Sequence, residues 1–136
     1  MSPFEETVLK IVRAIPSGRV MSYGQIALYA GKPGHAREAG AAMRSLGKQP
    51  NFPWWRVLNS AGEISIAGNP DADARMQQDL LLKEGVVFRV PFKLDFDRYC
   101  YHAEENALKK FGLDDWIIKS ALYKYGPKAH TQGLGL

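Results

Sequence analysis

A single cysteine, Cys100, stands among the 136 residues of the chain. An internal disulfide is therefore excluded, and a reducing compartment is expected. Cys100 lies between Tyr99 and Tyr101, with His102 as its one nearby base, and reads as a structural residue rather than a nucleophile. The chain has only three histidines, and His35 and His130 stand alone. Cys100 and His102 find no two further ligands at workable spacing, so neither a metal nor a cofactor is expected. No apolar run approaches the ~20 residues that cross a bilayer, and Met1–Glu6 lacks the character of a signal peptide. A soluble, intracellular protein without a membrane partner is the expectation. Internal repeats and low-complexity stretches are also missing.

Apolar residues make up 46% of the chain, enough for one compact core and too few for two. The formal charge of +4 is unevenly spread. Residues 1–56 hold eight Lys and Arg against three Glu, a balance of +5, and the remainder is at −1. Such an excess suits a polyanionic partner, although taken alone it also describes an ordinary solvated face.

Apolar spacing at Phe4, Val8, Ile11, Val12 and Ile15 predicts a helix over 4–14, ended by Pro16. After the Ser17-Gly18 turn and a short extended link over 19–21, Ser22-Tyr23-Gly24-Gln25 reads as a capping box. In it the Ser22 hydroxyl takes the Gln25 amide and the Gln25 side chain reaches back. A short helix to about Ala30, a Gly31-Lys32-Pro33-Gly34 turn and a helix to about Leu46 make a helix-turn-helix signature. Gly47–Phe52 is a loop. Trp55–Asn59 and Glu63–Ile66 flank Ser60-Ala61-Gly62 as an expected hairpin, the wing of a winged helix. Asp71–Glu84 is predicted helical and capped by Gly85, followed by a short strand over Val86–Val90. Leu94–Tyr101 alternates as a strand or extended segment. His102–Phe111 and Asp114–Tyr125 then read as two helices around Gly112, with Gly126-Pro127 ending the second. Little holds Lys128–Leu136 in place.

Three segments carry a resemblance when read together: Ile15-Pro16-Ser17-Gly18 leading to Ser22-Tyr23-Gly24, then Ala36-Arg37-Glu38-Ala39-Gly40, then Pro53-Trp54-Trp55-Arg56-Val57. In order and spacing over roughly residues 3–101, they resemble the C-terminal DNA-binding domain of O6-alkylguanine-DNA alkyltransferases. The resemblance implies a mostly α fold with a small β-hairpin, a winged helix-turn-helix domain over 1–101, and a helical C-terminal extension over 102–136. Those enzymes carry Pro-Cys-His-Arg-Val at the third segment. Here Trp54 stands at the cysteine position and Trp55 at that of the activating histidine. The first substitution is the mark of alkyltransferase-like proteins, which share the fold and transfer nothing. The chemistry agrees. Displacing an alkyl group from guanine O6 needs an activated thiolate, and an indole offers only an N–H donor. No enzyme activity is therefore expected. Trp55 departs even from the usual alkyltransferase-like pattern, which keeps histidine, and so bears on Glu84, which matches a glutamate supporting that histidine.

The resemblance also assigns roles. Arg37 enters the duplex through the minor groove and fills the gap left by a flipped nucleotide, as a flat, stacking cation can. Ala36 and Gly40 are small enough for a groove about 6 Å wide. Glu38 departs from the family's neutral residue, so it points away from phosphate or pairs with Arg37. Tyr23 crowds the target phosphate and promotes rotation of the base. Ser60 touches phosphate at the hairpin. Trp54 forms the wall of a lesion pocket with Tyr23, Met43, Arg56 and Val57, where the Trp54 and Val57 carbonyls accept the guanine amino group. Trp55 reads as packing, and Arg56 either braces the loop or faces DNA. Ile66–Asn69 is the expected pocket rim. The implied function is recognition of O6-alkylguanine in double-stranded DNA by base flipping, without turnover. It is expected of a monomer that flags lesions for nucleotide excision repair proteins, in the cytoplasm at the nucleoid or in a eukaryotic nucleus. The alternatives are an alkyltransferase with a different nucleophile and a winged-helix transcription regulator.

The extension has Ile118, Leu122 and Tyr125 at helical spacing, an apolar stripe that needs cover. Docking back onto the domain is expected, with an exposed partner surface as the alternative. Truncation after Tyr101 should then lower the melting temperature and leave lesion affinity within a few-fold.

Overall fold

The computed structural model describes residues 1–64 and 74–125. Helix α1 (Pro3–Arg13) starts one residue before the apolar spacing suggests, because Ser2 caps it. The Ser2 hydroxyl accepts from the Glu5 amide at 3.1 Å, and Glu5 Oε1 accepts from the Ser2 amide at 2.9 Å. Val8, Ile11 and Val12 form its buried stripe. Strand β1 (Met21–Ser22) leads directly into α2 (Tyr23–Tyr29). Ser22 caps α2 as expected, its hydroxyl accepting from the Gln25 amide at 3.1 Å. The Gln25 side chain, however, does not reach back. Gln25 is fully buried, so its amide must find partners inside the core. Its Nε2 donates to the Tyr29 hydroxyl and the Tyr101 carbonyl, and its Oε1 accepts from Cys100 Sγ.

Helix α3 (Ala36–Leu46) follows the glycine-containing turn and packs on α1 and α2, completing the helix-turn-helix. The next segment corrects the expected hairpin. Trp54–Arg56 winds into a 3-10 turn, with the Arg56 amide donating to the Pro53 carbonyl at 3.1 Å. Strand β2 (Val57–Leu58) then runs parallel to β1, with Met21 opposite Val57 and Ser22 opposite Leu58. The turn over 59–63 does form, tied by Asn59 Oδ1 to the amides of Ala61 and Glu63 at 3.0 and 2.9 Å. Its return limb pairs elsewhere, Glu63 bridging Lys93. The rest of that limb and the expected rim over 66–69 lie outside the described residues, as does the start of the helix expected from Asp71.

Helix α4 (Ala74–Lys83) buries Gln77 and Leu81. The observed antiparallel hairpin is β3 (Phe88–Val90) with β4 (Lys93–Leu94), Phe88 facing Leu94. The extended segment expected over 94–101 is also corrected. After Leu94 the chain turns into a one-turn helix, α5 (Phe96–Tyr99), and only Cys100 returns to a bridge with Val20. The turn lets Tyr99 and Cys100 both face inward, which strict alternation forbids.

Two apolar clusters hold these elements. The smaller joins Val20, Leu58, Leu81, Val86, Leu94 and Tyr99 beneath the hairpin. The larger spans α1, α2 and α3, and it continues into the extension. There α6 (Glu105–Lys110) and α7 (Asp115–Tyr125) contribute Leu108, Ile117, Ile118 and Ala121 to the same core. The Tyr29 ring meets Phe111 at 6.2 Å and the edge of Tyr125 at 6.3 Å, so α2 is covered on a second side. Residues 126–136 lie outside the described residues.

Candidate nucleic-acid interface

Two turns of α3 bury Ala39, Ala42, Met43 and Leu46 and so fix what faces away from the core. At 3.6 residues per turn, Arg37, Ala41 and Arg44 point opposite to that buried stripe, and all three are exposed, as is Lys48 in the turn beyond the helix. Ala36 is exposed beside them. A Cβ added at Gly40 would meet nothing within 4 Å, so the helix surface there is open as well as small. Arg37 makes no hydrogen bond or ion pair among the described residues. Glu38 does not pair with it. Its carboxylate takes Lys32 Nζ at 2.9 Å, toward the turn before α3. The Lys32 bond is the leading reason the Glu38 carboxyl is held below its ordinary value. The result is a small, basic outward face with its one acid turned aside, a shape and charge suited to a narrow polyanionic groove.

Pairing of β1 with β2 brings the start of α2, with Tyr23, beside the turn that carries Trp54–Arg56. Tyr23 is half-buried against the larger core, and burial raises its phenol pKa. Trp54 is likewise half-buried against that core, while Met43 and Val57 are buried within it. The two carbonyls assigned to the guanine already carry internal hydrogen bonds. The Val57 amide donates to the Trp54 carbonyl, and Gln77 Nε2 donates to the Val57 carbonyl at 2.9 Å. Each keeps a second lone pair. Ser60 is exposed at the tip of the 59–63 turn.

Sequence reasoning left Glu84 and Trp55 without a firm role, and the structure joins them. Glu84, just past the end of α4, accepts from four donors on two other segments. Trp55 Nε1 donates to Oε2 at 2.8 Å, and the Gly18 amide donates to Oε1 at 2.9 Å. Arg56 donates through Nε at 3.0 and 3.1 Å and through Nη2 at 2.7 Å, while its Nη1 holds the Ile15 carbonyl at 2.8 Å. Arg56 thus braces the loop from within, its side chain 16% exposed against 12% for Glu84. Burial pushes the Glu84 carboxyl up. The hydrogen bonds from Arg56, Gly18 and Trp55, with the Arg56 charge, outweigh it and keep the group ionised below its usual range. The conjunction of Pro-Ser-Gly, a Trp-Arg pair and a helix-end glutamate was the available signal, but the partners stand 28 and 66 residues apart.

Cys100 is 5% exposed, with Sγ bonded to Gln25 Oε1 at 3.3 Å. Burial pushes its thiol up to about 12, leaving essentially no thiolate near neutrality. The chain's one sulfhydryl is therefore unsuited to alkyl acceptance.

Comparison with known proteins converges on one family. Residues 3–86 match the model of the 6-O-methylguanine DNA methyltransferase DNA-binding domain. A DNA base-flipping protein of Escherichia coli K12 is 40% identical over 96 residues, which is 71% of this chain and 72% of the relative. Alkyltransferase-like protein 1 of Schizosaccharomyces pombe is 43% identical over 86 residues, 63% of this chain and 79% of the relative. Among solved structures, S. pombe Atl1 in complex with damaged DNA containing O6-carboxymethylguanine superposes with a TM-score of 0.68 at 37% identity. That match takes in 76% of this chain and 98% of the other.

Proposed function

The chain belongs to the family of the 6-O-methylguanine DNA methyltransferase DNA-binding domain, as one of its alkyltransferase-like members, and from that premise we propose that it binds O6-alkylguanine in duplex DNA, flips the base and transfers nothing. The observation that carries this reading is the outward face of α3, where Arg37 is exposed, and uncommitted among the described residues, beside Ala36 and open Gly40. With that face in the minor groove, the Arg37 guanidinium stacks in the gap left by the extruded nucleotide. Tyr23 crowds its phosphate, and Ser60 contacts the backbone from the 59–63 turn. The base then lies against Trp54, with Met43 and Val57 behind, and the free lone pairs of the Trp54 and Val57 carbonyls receive its amino group. Extrusion costs a few kcal/mol, offset by the stacking and by the pocket. Trp54 supplies apolar surface for the alkyl group, and burial of Cys100 leaves the chain no accessible thiol as acceptor. The bound monomer, bending and marking the site, is a signal for nucleotide excision repair, in the nucleoid or the nucleus.

The test is a titration on matched duplexes carrying guanine, O6-methylguanine or a bulkier O6-alkylguanine, followed by intact-protein mass. Preference for the alkylated duplexes with unchanged mass is expected. A mass gain equal to the alkyl group would mean a transferase, and equal affinity for all three duplexes would mean that lesions are not the ligand.

A further inference from the structure

Trp55 is held on three sides. Its N–H is tied to Glu84 Oε2 at 2.8 Å, and the Arg56 guanidinium carbon lies 5.4 Å from its ring centroid. Its ring meets Trp54 at right angles, with centroids 6.0 Å apart and an interplanar angle of 88°. An indole with its N–H bonded and its face occupied by a cation has little rotational freedom left. Trp54 leans on that ring while lying half-buried against the larger core. The orientation of Trp54 therefore depends on a neighbour that is itself anchored to Glu84.

We propose that Trp55 is a positioning residue of the lesion pocket: its hydrogen bond to Glu84 fixes the ring on which Trp54 rests, and so fixes the pocket wall independently of pH. This rests on the lesion-binding reading above. From the 3-10 turn, Glu84 faces Trp55 and Arg56, and from the loop after α1 it faces the Gly18 amide. Indole, guanidinium and amide do not titrate near neutrality, and the Arg56 pair keeps the carboxylate charged. Among the described residues no imidazole or thiol enters the network, so protonation has no hold on the wall.

The experiment measures the ratio of affinities for an O6-methylguanine duplex and its guanine counterpart, at pH 5.5 and 8.0. A wild-type ratio of one would sink the lesion reading itself, separately from this inference. With the ratio above one, it should agree within threefold at the two pH values. Trp55→Phe keeps a ring and loses the N–H, and the ratio should fall on the order of tenfold, the scale of one hydrogen bond to a charged group. Trp55→His restores a donor and should bring the ratio back to within threefold of the wild type at pH 5.5. A merely structural role would weaken both duplexes alike and leave the ratio unmoved, which overturns the proposal. So does a wild-type ratio that changes more than threefold with pH, a measurement that needs no variant to fold.

Discussion

Arg37 makes no hydrogen bond among the described residues and lies exposed on α3, whereas Arg56 is enclosed between Glu84 and the Ile15 carbonyl. Their alanine variants should separate binding from stability. Arg37→Ala removes a guanidinium that holds nothing among the described residues, so unfolding should change by less than about 0.5 kcal/mol. Its lesion affinity and the signal of a fluorescent flipped base should both drop by at least about tenfold. Arg56→Ala strands the Glu84 carboxylate in a mostly dry site, and the cost of breaking such a pair is about 3 kcal/mol or more. Denaturant titration checks both, and equal stability losses would show that the two arginines had been assigned the wrong duties. Buried Cys100 and Tyr29 lend a pH prediction of their own. Burial pushes each acid up to about 12, from ordinary values of 9.0 and 10.0. Both are held in their neutral forms when folded, so their contribution is complete below about pH 9. It is lost as pH rises toward 12, because the unfolded chain gives up those protons first. Thermal melts should therefore fall steeply above pH 9, and Cys100→Ala should flatten part of that slope. Native Cys100 should also resist thiol reagents until the protein unfolds.

At the scale of elements, the turn over 59–63 hangs on Gly62. Its φ of +82° lies in the left-handed region, and a Cβ there would collide with the Leu94 carbonyl oxygen. The close approach exists because the Leu94 amide donates to the Gly62 carbonyl at 2.9 Å, joining the turn to the β3–β4 hairpin. Gly62→Ala should cost about 1–3 kcal/mol from the backbone alone and more from the collision. A variant as stable as the wild type would mean the turn does not dock on the hairpin. This junction also marks where the sequence was legible and where it was not. Helices α1, α2, α3, α6 and α7 follow from local spacing and caps, and the helix-turn-helix follows from their order. The hairpin was expected around Ser60-Ala61-Gly62, since that tripeptide has turn chemistry. The antiparallel pair instead closes through Pro91-Phe92, with Phe92 at φ +67°, a conformation that aromatic residues rarely adopt and turn rules do not assign to them. The β1–β2 pairing, two residues on each side and far apart in sequence, leaves no local trace either. In the candidate site, Arg37, Gly40, Tyr23 and Trp54 were recognisable because a motif carries them. Glu84 was recognisable only as the match of a glutamate that supports position 55; its bonds to Arg56 and to the Gly18 amide were not, because those donors meet it only after the chain has folded around α4.

Over the whole molecule, the extension is not a separate layer but part of the larger core. Leu108, Ile117 and Ile118 are each at most 5% exposed and share that core with α1, α2 and α3. Burying three such side chains contributes about 5–9 kcal/mol as an upper estimate, against a net stability of roughly 5–15 kcal/mol for a domain. Truncation after Tyr101 therefore removes a share comparable with the whole margin, and it bares Tyr29 and the second side of α2 as well. The S. pombe Atl1 match takes in 98% of that protein but 76% of this chain, so a related fold exists without an equivalent of every residue here. A compact domain of this kind does not require an extension in general; this chain's own α2 surface requires it. The consequence differs from that of a removable appendage. Truncation should leave a chain largely unfolded at 37 °C, with its melting temperature lowered by tens of degrees, rather than a domain that is merely softened. Single truncations keep the question of function open where the deletion cannot. Leu108→Ala and Ile118→Ala should each cost about 2–5 kcal/mol. Each should still bind an O6-methylguanine duplex within a few-fold of the wild type below its melting temperature. The reason is geometric: α7 packs on α2 and α6, whereas α3 packs on α1 and α2, so the outward face of α3 is reached by neither substitution. Lesion affinity falling more than tenfold in a variant that remains folded would show that the extension shapes the DNA-binding face as well as the core.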